Sequence, residues 1–256
     1  MIDQSQIFVI IPTYNEAPRI GRVLARIPSY VDHVFVVNDA STDSTIAAVK
    51  SHESPRLKIL HHTSNRGVGA AIITGYREAL RTEGGKHDVL VVMAGDDQMK
   101  PEDMPRLIEP IAFQTADYVK GSRFAHPDLK CMMPITRRWG GLLFSSLTSL
   151  AMGQRISDSQ CGYTAISRQA CEQIDFETLW PGYGYPNDLL GQLLLRGLRI
   201  CEVPVQPIYA DEISRLRLYH LPAILFLIGR VWIRRQKISL PKRDRSTDGG
   251  PVGPKP

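Results

Sequence analysis

The chain has 256 residues, 43% of them hydrophobic and 22% charged, which argues against a largely disordered polypeptide and suffices for one sizeable α/β core or two small domains. Its formal net charge of +5 favours an anionic partner: nucleic acid, a phosphorylated substrate or an anionic membrane face. Four scattered cysteines (Cys131, Cys161, Cys171, Cys201) form no C-x-x-C pair, which argues against structural zinc and for reduced thiols in a cytosolic protein. No basic segment followed by an apolar run opens the chain, so no signal peptide is expected.

In chain order, β-branched apolar runs predict strands at residues 7–11 (IFVII), 33–38 (HVFVVN), 57–61 (LKILH) and 88–94 (DVLVVMA), then at 117–121, 163–167 and 199–205. Between the first four lie helical patterns. Residues 19–27 carry Ile20, Val23, Leu24 and Ile27 at helical spacing, Ser41-Thr-Asp-Ser opens a second helix with capping residues, and 69–81 supplies a third. Apolar strands alternating with helices argue for a mostly parallel sheet covered on both faces, whose ligands sit beyond the carboxyl ends of the strands. The polar clusters there are PTYNE at 12–16, NDASTD at 38–43, NRG at 65–67 and GDDQ at 95–98.

The second half differs. Residues 137–152 are basic and then apolar, and 221–233 (LPAILFLIGRVWI) is the most hydrophobic stretch. The latter is shorter than the ~20 apolar residues of a membrane span. Leu221, Ile224, Leu225, Ile228 and Trp232 form a helical stripe, with Arg230, Arg234, Arg235 and Lys237 beside and after it. The pattern suits an interfacial helix with snorkelling cations, or a terminal helix docked on the domain with a solvated basic end. Residues 241–256 read as a disordered basic tail.

Several chemistries can be weighed on residue type and spacing. Gly67-Val-Gly69 starts a dinucleotide fingerprint, but Ile72 stands where its third glycine belongs, so close helix–strand packing explains these glycines. Asp39 lies just beyond a strand, where a carboxylate can accept hydrogen bonds from a base or ribose, whereas Asp43 suits capping. Asp96, Asp97 and Gln98 form an oxygen-rich cluster suited to Mg²⁺ or Mn²⁺, or a solvated acidic turn. His61 and His62 read as structural. Neither a G-x-S-x-G elbow nor a G-x-x-x-x-G-K-[ST] phosphate loop is present.

Taken together, IPTYNE (11–16), VNDASTD (37–43), NRGVGA (65–70), MAGDDQ (93–98) and GSRF (121–124) resemble, in this order, the motifs of inverting family-2 glycosyltransferases with the GT-A fold. Within them the sequence is most similar to the dolichol-phosphate mannosyltransferase branch. The later segments DSQCGY (158–163), EVP (202–204) and SRL (214–216) resemble that branch too, so the likeness spans roughly residues 5–220. It implies a GT-A domain over 1–219, followed by an amphipathic helix over 220–240 and the tail. It also implies a nucleotide site of Pro12, Tyr14, Glu16, Asp39 and Gly69, and a Mg²⁺ or Mn²⁺ site of Asp96 and Gln98 with Asp97. Catalytic roles fall to Asp96, Arg123 and Asp188, and the acceptor phosphate to Arg123, Arg137, Arg215 and Arg217. Asp188 equally suits stabilisation of a helix N-terminus. Two positions depart from the pattern: Asn38 replaces the first of two acids after strand two, and Ala94 replaces the first metal-binding acid.

The resemblance therefore implies transfer of a hexose from a UDP- or GDP-sugar to a polyprenyl phosphate, with inversion, by a protein peripheral on the cytoplasmic face of a membrane and with no nucleic-acid partner. A family-2 transferase acting on a polysaccharide, and a non-catalytic nucleotide-sugar-binding protein, remain open beside it.

Overall fold

The computed structural model describes residues 5–127, 133, 135–206, 208 and 220–239. Arg215, Arg217 and the expected tail at 241–256 lie outside the described residues, and so do the side chains of Arg137 and Lys237. Among the described residues seven strands form one sheet: β1 (Ile7–Thr13), β2 (His33–Asn38), β3 (Leu57–His61), β4 (Val89–Val92), β5 (Tyr118–Ser122), β6 (Thr164–Ser167) and β7 (Ile200–Pro204). Every predicted strand is present, because each is a short β-branched run closed by turn residues. The helices are α1 (Ala17–Ala25), α2 (Thr45–Lys50), α3 (Val68–Arg81), α4 (Met104–Ala112), α5 (Ile135–Met152), α6 (Arg168–Cys171), α7 (Tyr185–Leu195) and α8 (Leu221–Ser239).

The sheet order is β3-β2-β1-β4-β6-β5-β7, and β6 alone runs antiparallel to its neighbours. That reversal matters for the site. Val92 at the end of β4 and Lys120 near the end of β5 both pair with Thr164, the first residue of β6. The segment leading into β6 therefore shares one edge of the sheet with the loops that leave β1, β2, β3, β4 and β5. The polar clusters at 12–16, 38–43, 65–67 and 95–98 converge there, the arrangement by which open α/β sheets bind ligands.

Alternation along the strands divides the core in two. Ile7, Val9 and Ile11 face Ile20, Val23 and Leu24 of α1 and Leu107, Ile108 and Ile111 of α4. Phe8 and Ile10 face Ile72, Ile73 and Tyr76 of α3, with Leu189, Leu190 and Leu193 of α7 beyond. The last helix, α8, packs on α7 and α5. It sends Ile224, Leu227, Ile228 and Val231 into the core and leaves Leu225, Phe226, Trp232 and Ile233 exposed. The stripe read from the sequence is thus split between two faces.

Candidate active site

The first two loops are stitched together by short polar side chains. Asn15, at φ 53°, accepts a hydrogen bond from the Thr42 amide (2.8 Å) and donates its own amide to Ser41 Oγ (3.0 Å). Glu16 is buried, its amide bonds Thr45 Oγ1 (2.8 Å), and its carboxylate pairs with Arg19 (3.0 Å). Asp43 accepts from the amides of Thr45 (3.0 Å) and Ala17 (3.3 Å), the capping role expected of it. Burial is the largest single influence on its pKa and raises it, but the hydrogen bonds from the Thr45 hydroxyl and from these amides together carry it below the ordinary carboxylate value.

Asp39 organises the third loop. Its Oδ1 lies 2.6 Å from His62 Nδ1 and accepts from the Arg66 amide (2.8 Å), while Oδ2 accepts from the Gly67 amide (2.8 Å). His62 also bonds Thr74 Oγ1 through Nε2 at 2.9 Å, so the ring links β3, α3 and the carboxylate. Gly67 sits at φ 92°, where a side chain is strained. At Gly69 the constraint is space: a Cβ would stand 2.6 Å from the Trp180 carbonyl oxygen. The Ala70 amide donates to the Pro181 carbonyl (2.9 Å), so the 180–181 segment is laid across the start of α3.

After β4, the Gly95 amide reaches back to the Pro12 carbonyl (3.3 Å), which ties this loop to the first. Asp96 is half-buried, and its Oδ1 accepts from the Gln98 amide at 3.1 Å. Between them Asp97 adopts φ 63°, and its carboxylate is held by Arg22 Nε of α1 (3.0 Å) and by Nη1 of Arg26 at the C-terminal cap of α1 (3.3 Å).

On the other half of the edge, Arg123 grips the fully buried Asp158 in bidentate fashion, Nε to Oδ2 at 2.8 Å and Nη2 to Oδ1 at 3.0 Å. The amides of Arg123 and Cys161 donate to the same carboxylate, each at 3.1 Å. Burial alone would raise the pKa of Asp158, but the Arg123 charge and hydrogen bonds hold it below the usual range. Glu202 of β7 accepts the amides of Ser157 (2.7 Å) and Asp158 (3.1 Å). Lys120, fully buried, donates to the Cys161 carbonyl, and desolvation lowers its pKa. The segment at 157–161 is thus suspended from charged groups on β5 and β7. Asp188, in the first turn of α7, is also fully buried. It accepts from the Trp180 amide (3.0 Å) and pairs with Arg234 (2.6 Å) and Arg230 (3.4 Å) of α8.

Comparison with known proteins gives this geometry a family. Residues 8–175, more than half of the chain, match the family described as glycosyl transferase family 2. The chain belongs to glycosyl transferase family 2. An undecaprenyl-phosphate mannosyltransferase of Micrococcus luteus is 36% identical over 208 residues, covering 78% of this chain and 82% of that protein. A UDP-N-acetylglucosamine–dolichyl-phosphate N-acetylglucosaminyltransferase of Methanococcus voltae is 30% identical over 220 residues, covering 80% and 86%. Among solved structures, glucosyl-3-phosphoglycerate synthase from Mycobacterium tuberculosis in complex with UDP superposes with a TM-score of 0.66 at 21% identity, covering 93% of this chain and 82% of that one. The same synthase has been solved with Mn²⁺ and UDP and with Mg²⁺ and UDP. The protein is a glycosyltransferase with the expected α/β, GT-A-like fold.

Within this glycosyltransferase, Pro12, Tyr14, Glu16, Asp39, Asp96 and Gln98 share the strand-end edge, while four other residues named from the sequence make structural contacts. Asp97 has both carboxylate oxygens committed to arginines, Arg22 of α1 and Arg26 at its C-terminal cap. Gly69 serves close backbone approach, and its neighbour is the 180–181 segment and not a strand. Arg123 is first of all the counter-ion of Asp158. Asp188 is paired from behind by Arg230 and Arg234, which therefore turn inward and do not snorkel. The backbone of Arg137 lies in the first turn of α5.

The donor set on the transferase fits a hard divalent cation that arrives with phosphate oxygens. Asp96 offers a carboxylate and Gln98 an amide, and Mg²⁺ is commonly held by one or two carboxylates plus substrate phosphates and water. Among the described residues no cluster of three His, Cys, Asp or Glu side chains makes a cage without substrate.

Sequence reasoning missed Lys120, Arg22, Arg26 and the bridging role of Trp180. Only Lys120 left a signal, a lysine inside the strand YVKGS.

Proposed function

We propose that the protein transfers a hexose from a UDP- or GDP-sugar to a polyprenyl phosphate, with inversion, at the cytoplasmic face of a membrane. The observation that carries the acceptor class is the state of the acids beyond the nucleotide loops. Asp158 and Asp188 are both fully buried and both committed to arginines. An alcohol acceptor calls for a general base, such as an uncommitted carboxylate, to take its proton. A phosphate monoester acceptor is already anionic at neutral pH and needs only to be positioned. The curated relatives, which carry undecaprenyl phosphate and dolichyl phosphate in their names, support the same acceptor.

In this reading Pro12, Tyr14 and Glu16 line the nucleotide side, and Asp39 shapes it by holding the Arg66–Gly67 amides. Asp96 and Gln98 hold Mg²⁺ or Mn²⁺, which when bound neutralises charge on the diphosphate leaving group. Arg123 keeps the Asp158 segment in place, and Arg137, Arg215 and Arg217 receive the acceptor phosphate. The lipid is met on α5 and α8. The Phe124 ring packs on Gly141 of α5, where a Cβ would lie 2.6 Å from it, which sets α5 beside the Arg123 loop. Trp139, Leu142, Leu143 and Leu150 of α5 and Leu225, Phe226, Trp232 and Ile233 of α8 are exposed. Apolar side chains on two packed helices suit a bilayer surface. No helix among the described residues is long and apolar enough to cross a membrane.

The test is incubation with radiolabelled UDP- and GDP-sugars, Mg²⁺ or Mn²⁺, and a polyprenyl phosphate. Label entering an acid-labile lipid fraction is the expected result. Transfer to saccharide alone overturns the acceptor, and nucleotide binding without turnover overturns the enzymatic reading. Asp96→Asn is expected to cut turnover by about 100-fold or more with an unchanged circular dichroism spectrum.

A further inference from the structure

The loop that carries Asp96 and Gln98 is bent by a residue in an unfavourable conformation. Asp97 sits at φ 63°, a left-handed region open to glycine and entered at a cost by other residues, least reluctantly by Asn and Asp. The bend has a geometric result: it brings the Gln98 backbone amide back to Asp96 Oδ1 at 3.1 Å and so fixes the Asp96 carboxylate against the main chain that carries Gln98. What holds the bend comes from elsewhere in the chain. Arg22 on α1 and Arg26 at its C-terminal cap stand one helical turn apart, and each takes one oxygen of the Asp97 carboxylate, at 3.0 Å and 3.3 Å. Arg26 is in turn braced by both oxygens of Glu102, at 2.8 Å and 3.1 Å, just before α4. Strained residues at strand ends are a recurrent feature of functional loops, and Asn15 (φ 53°) and Ala40 (φ 60°) share this edge.

Resting on the metal reading above, we infer that Asp97 is a positioning residue and not a metal ligand. With Arg22 and Arg26 it forms a clamp that presents Asp96 and Gln98 to a divalent cation carried by a nucleoside diphosphate. The position left without an acid at Ala94 makes the clamp consequential. With one carboxylate fewer, affinity depends on how well the remaining pair is preorganised.

The inference separates from direct ligation through glycine, which adopts φ 63° without a clamp. Free Mn²⁺ is followed by electron paramagnetic resonance during titration of the full chain in the presence of UDP and, in parallel, GDP. Melting temperatures confirm that each variant is folded. Asp97→Ala, which loses both clamp and conformation, is expected to bind Mn²⁺ about 10-fold more weakly, and the Arg22→Gln/Arg26→Gln variant about 3- to 10-fold more weakly. Asp97→Gly is expected to stay within about 3-fold of wild type. Adding Asp97→Gly to the double arginine variant is expected to restore affinity, a rescue that general destabilisation does not produce. Equal losses in Asp97→Ala and Asp97→Gly, with wild type binding normally, overturn the inference alone. Failure of wild type to take up Mn²⁺ with either nucleotide overturns the metal reading and this inference together.

Discussion

Replacing Arg123 by Met tests whether its first task is structural. Asp158 is fully buried and accepts four hydrogen bonds, two from the Arg123 side chain and two from the amides of Arg123 and Cys161. Removing one partner of a buried ion pair costs roughly 3–5 kcal/mol. The two amides survive the substitution, so the lower end, about 3 kcal/mol, is expected. At about 2–4 °C per kcal/mol for a domain of this size, Tm falls by roughly 6–12 °C. Asp158→Asn leaves an arginine that is partly solvated and costs less. The double variant Arg123→Met/Asp158→Asn removes both charges and is expected to be more stable than the sum of the single effects by about 1–2 kcal/mol.

The pH dependence gives the same pair a signed test. In the wild type the folded pKa of Asp158 is depressed, so its contribution is present above the unfolded carboxylate value and is lost as pH falls through the folded one. Without Arg123, burial is left as the dominant influence and the folded pKa rises above the unfolded one. The variant is then penalised in full at pH 7, and the penalty shrinks as pH falls toward about 4. Thermal unfolding of the wild type, both single variants and the double variant at pH 7, 6, 5 and 4 reads both effects. A penalty unchanged between pH 7 and 4, or strict additivity in the double variant, refutes the assignment of Arg123 as the counter-ion of Asp158. If the stable double variant also loses transfer to polyprenyl phosphate, Arg123 acts on the acceptor as well.

Ala40 sits at φ 60°, so Ala40→Gly is expected to stabilise the protein by about 1 kcal/mol, a rise in Tm of roughly 2–4 °C; a lower Tm counts against strain in that turn. Phe226→Gln/Trp232→Gln, on the exposed face of α8, is expected to leave Tm in place and lower partitioning onto anionic vesicles by about 10-fold or more. Unchanged co-sedimentation removes α8 from the membrane-contacting surface.

The sheet was legible in the sequence because local rules decide it. Each strand is a β-branched run ended by turn residues, and once the strands are parallel their polar ends must meet at one edge. Even the reversal of β6 preserves this convergence, since the DSQCGY segment enters β6 from that edge. What was not legible is the set of partners reached across long separations. Nothing around Asp97 announces arginines at positions 22 and 26, because α1 and the β4 loop meet only once β1 and β4 are paired. Gly69 signalled a close approach but could not name Trp180, which lies more than a hundred residues on. The hydrophobic stripe of the last helix was visible, yet periodicity cannot say which apolar residues face the core.

The same limit applies to charge, and it alters what the basic surplus means. A net charge of +5 invites a map in which arginines point at phosphates. Several of them have other work. Arg123 neutralises Asp158, Arg230 and Arg234 neutralise Asp188, and Arg22 and Arg26 hold Asp97. Arg168 donates to the carbonyls of Ala79, Leu80 and Thr82 at the end of α3, the favoured place for a cation on a helix. The internal pairs also connect parts of the site. From Arg230 and Arg234 on α8 the contacts run to Asp188, through its hydrogen bond to Trp180, to the backbone laid across Gly69 and Ala70, and from that loop to Asp39. The helix proposed to meet the lipid and the loop proposed to hold the nucleotide are thus joined by one continuous set of polar contacts. Removing α8 therefore takes two cations from a fully buried acid, and is expected to loosen the 180–181 segment and the loop proposed to hold the nucleotide whether or not a membrane is present.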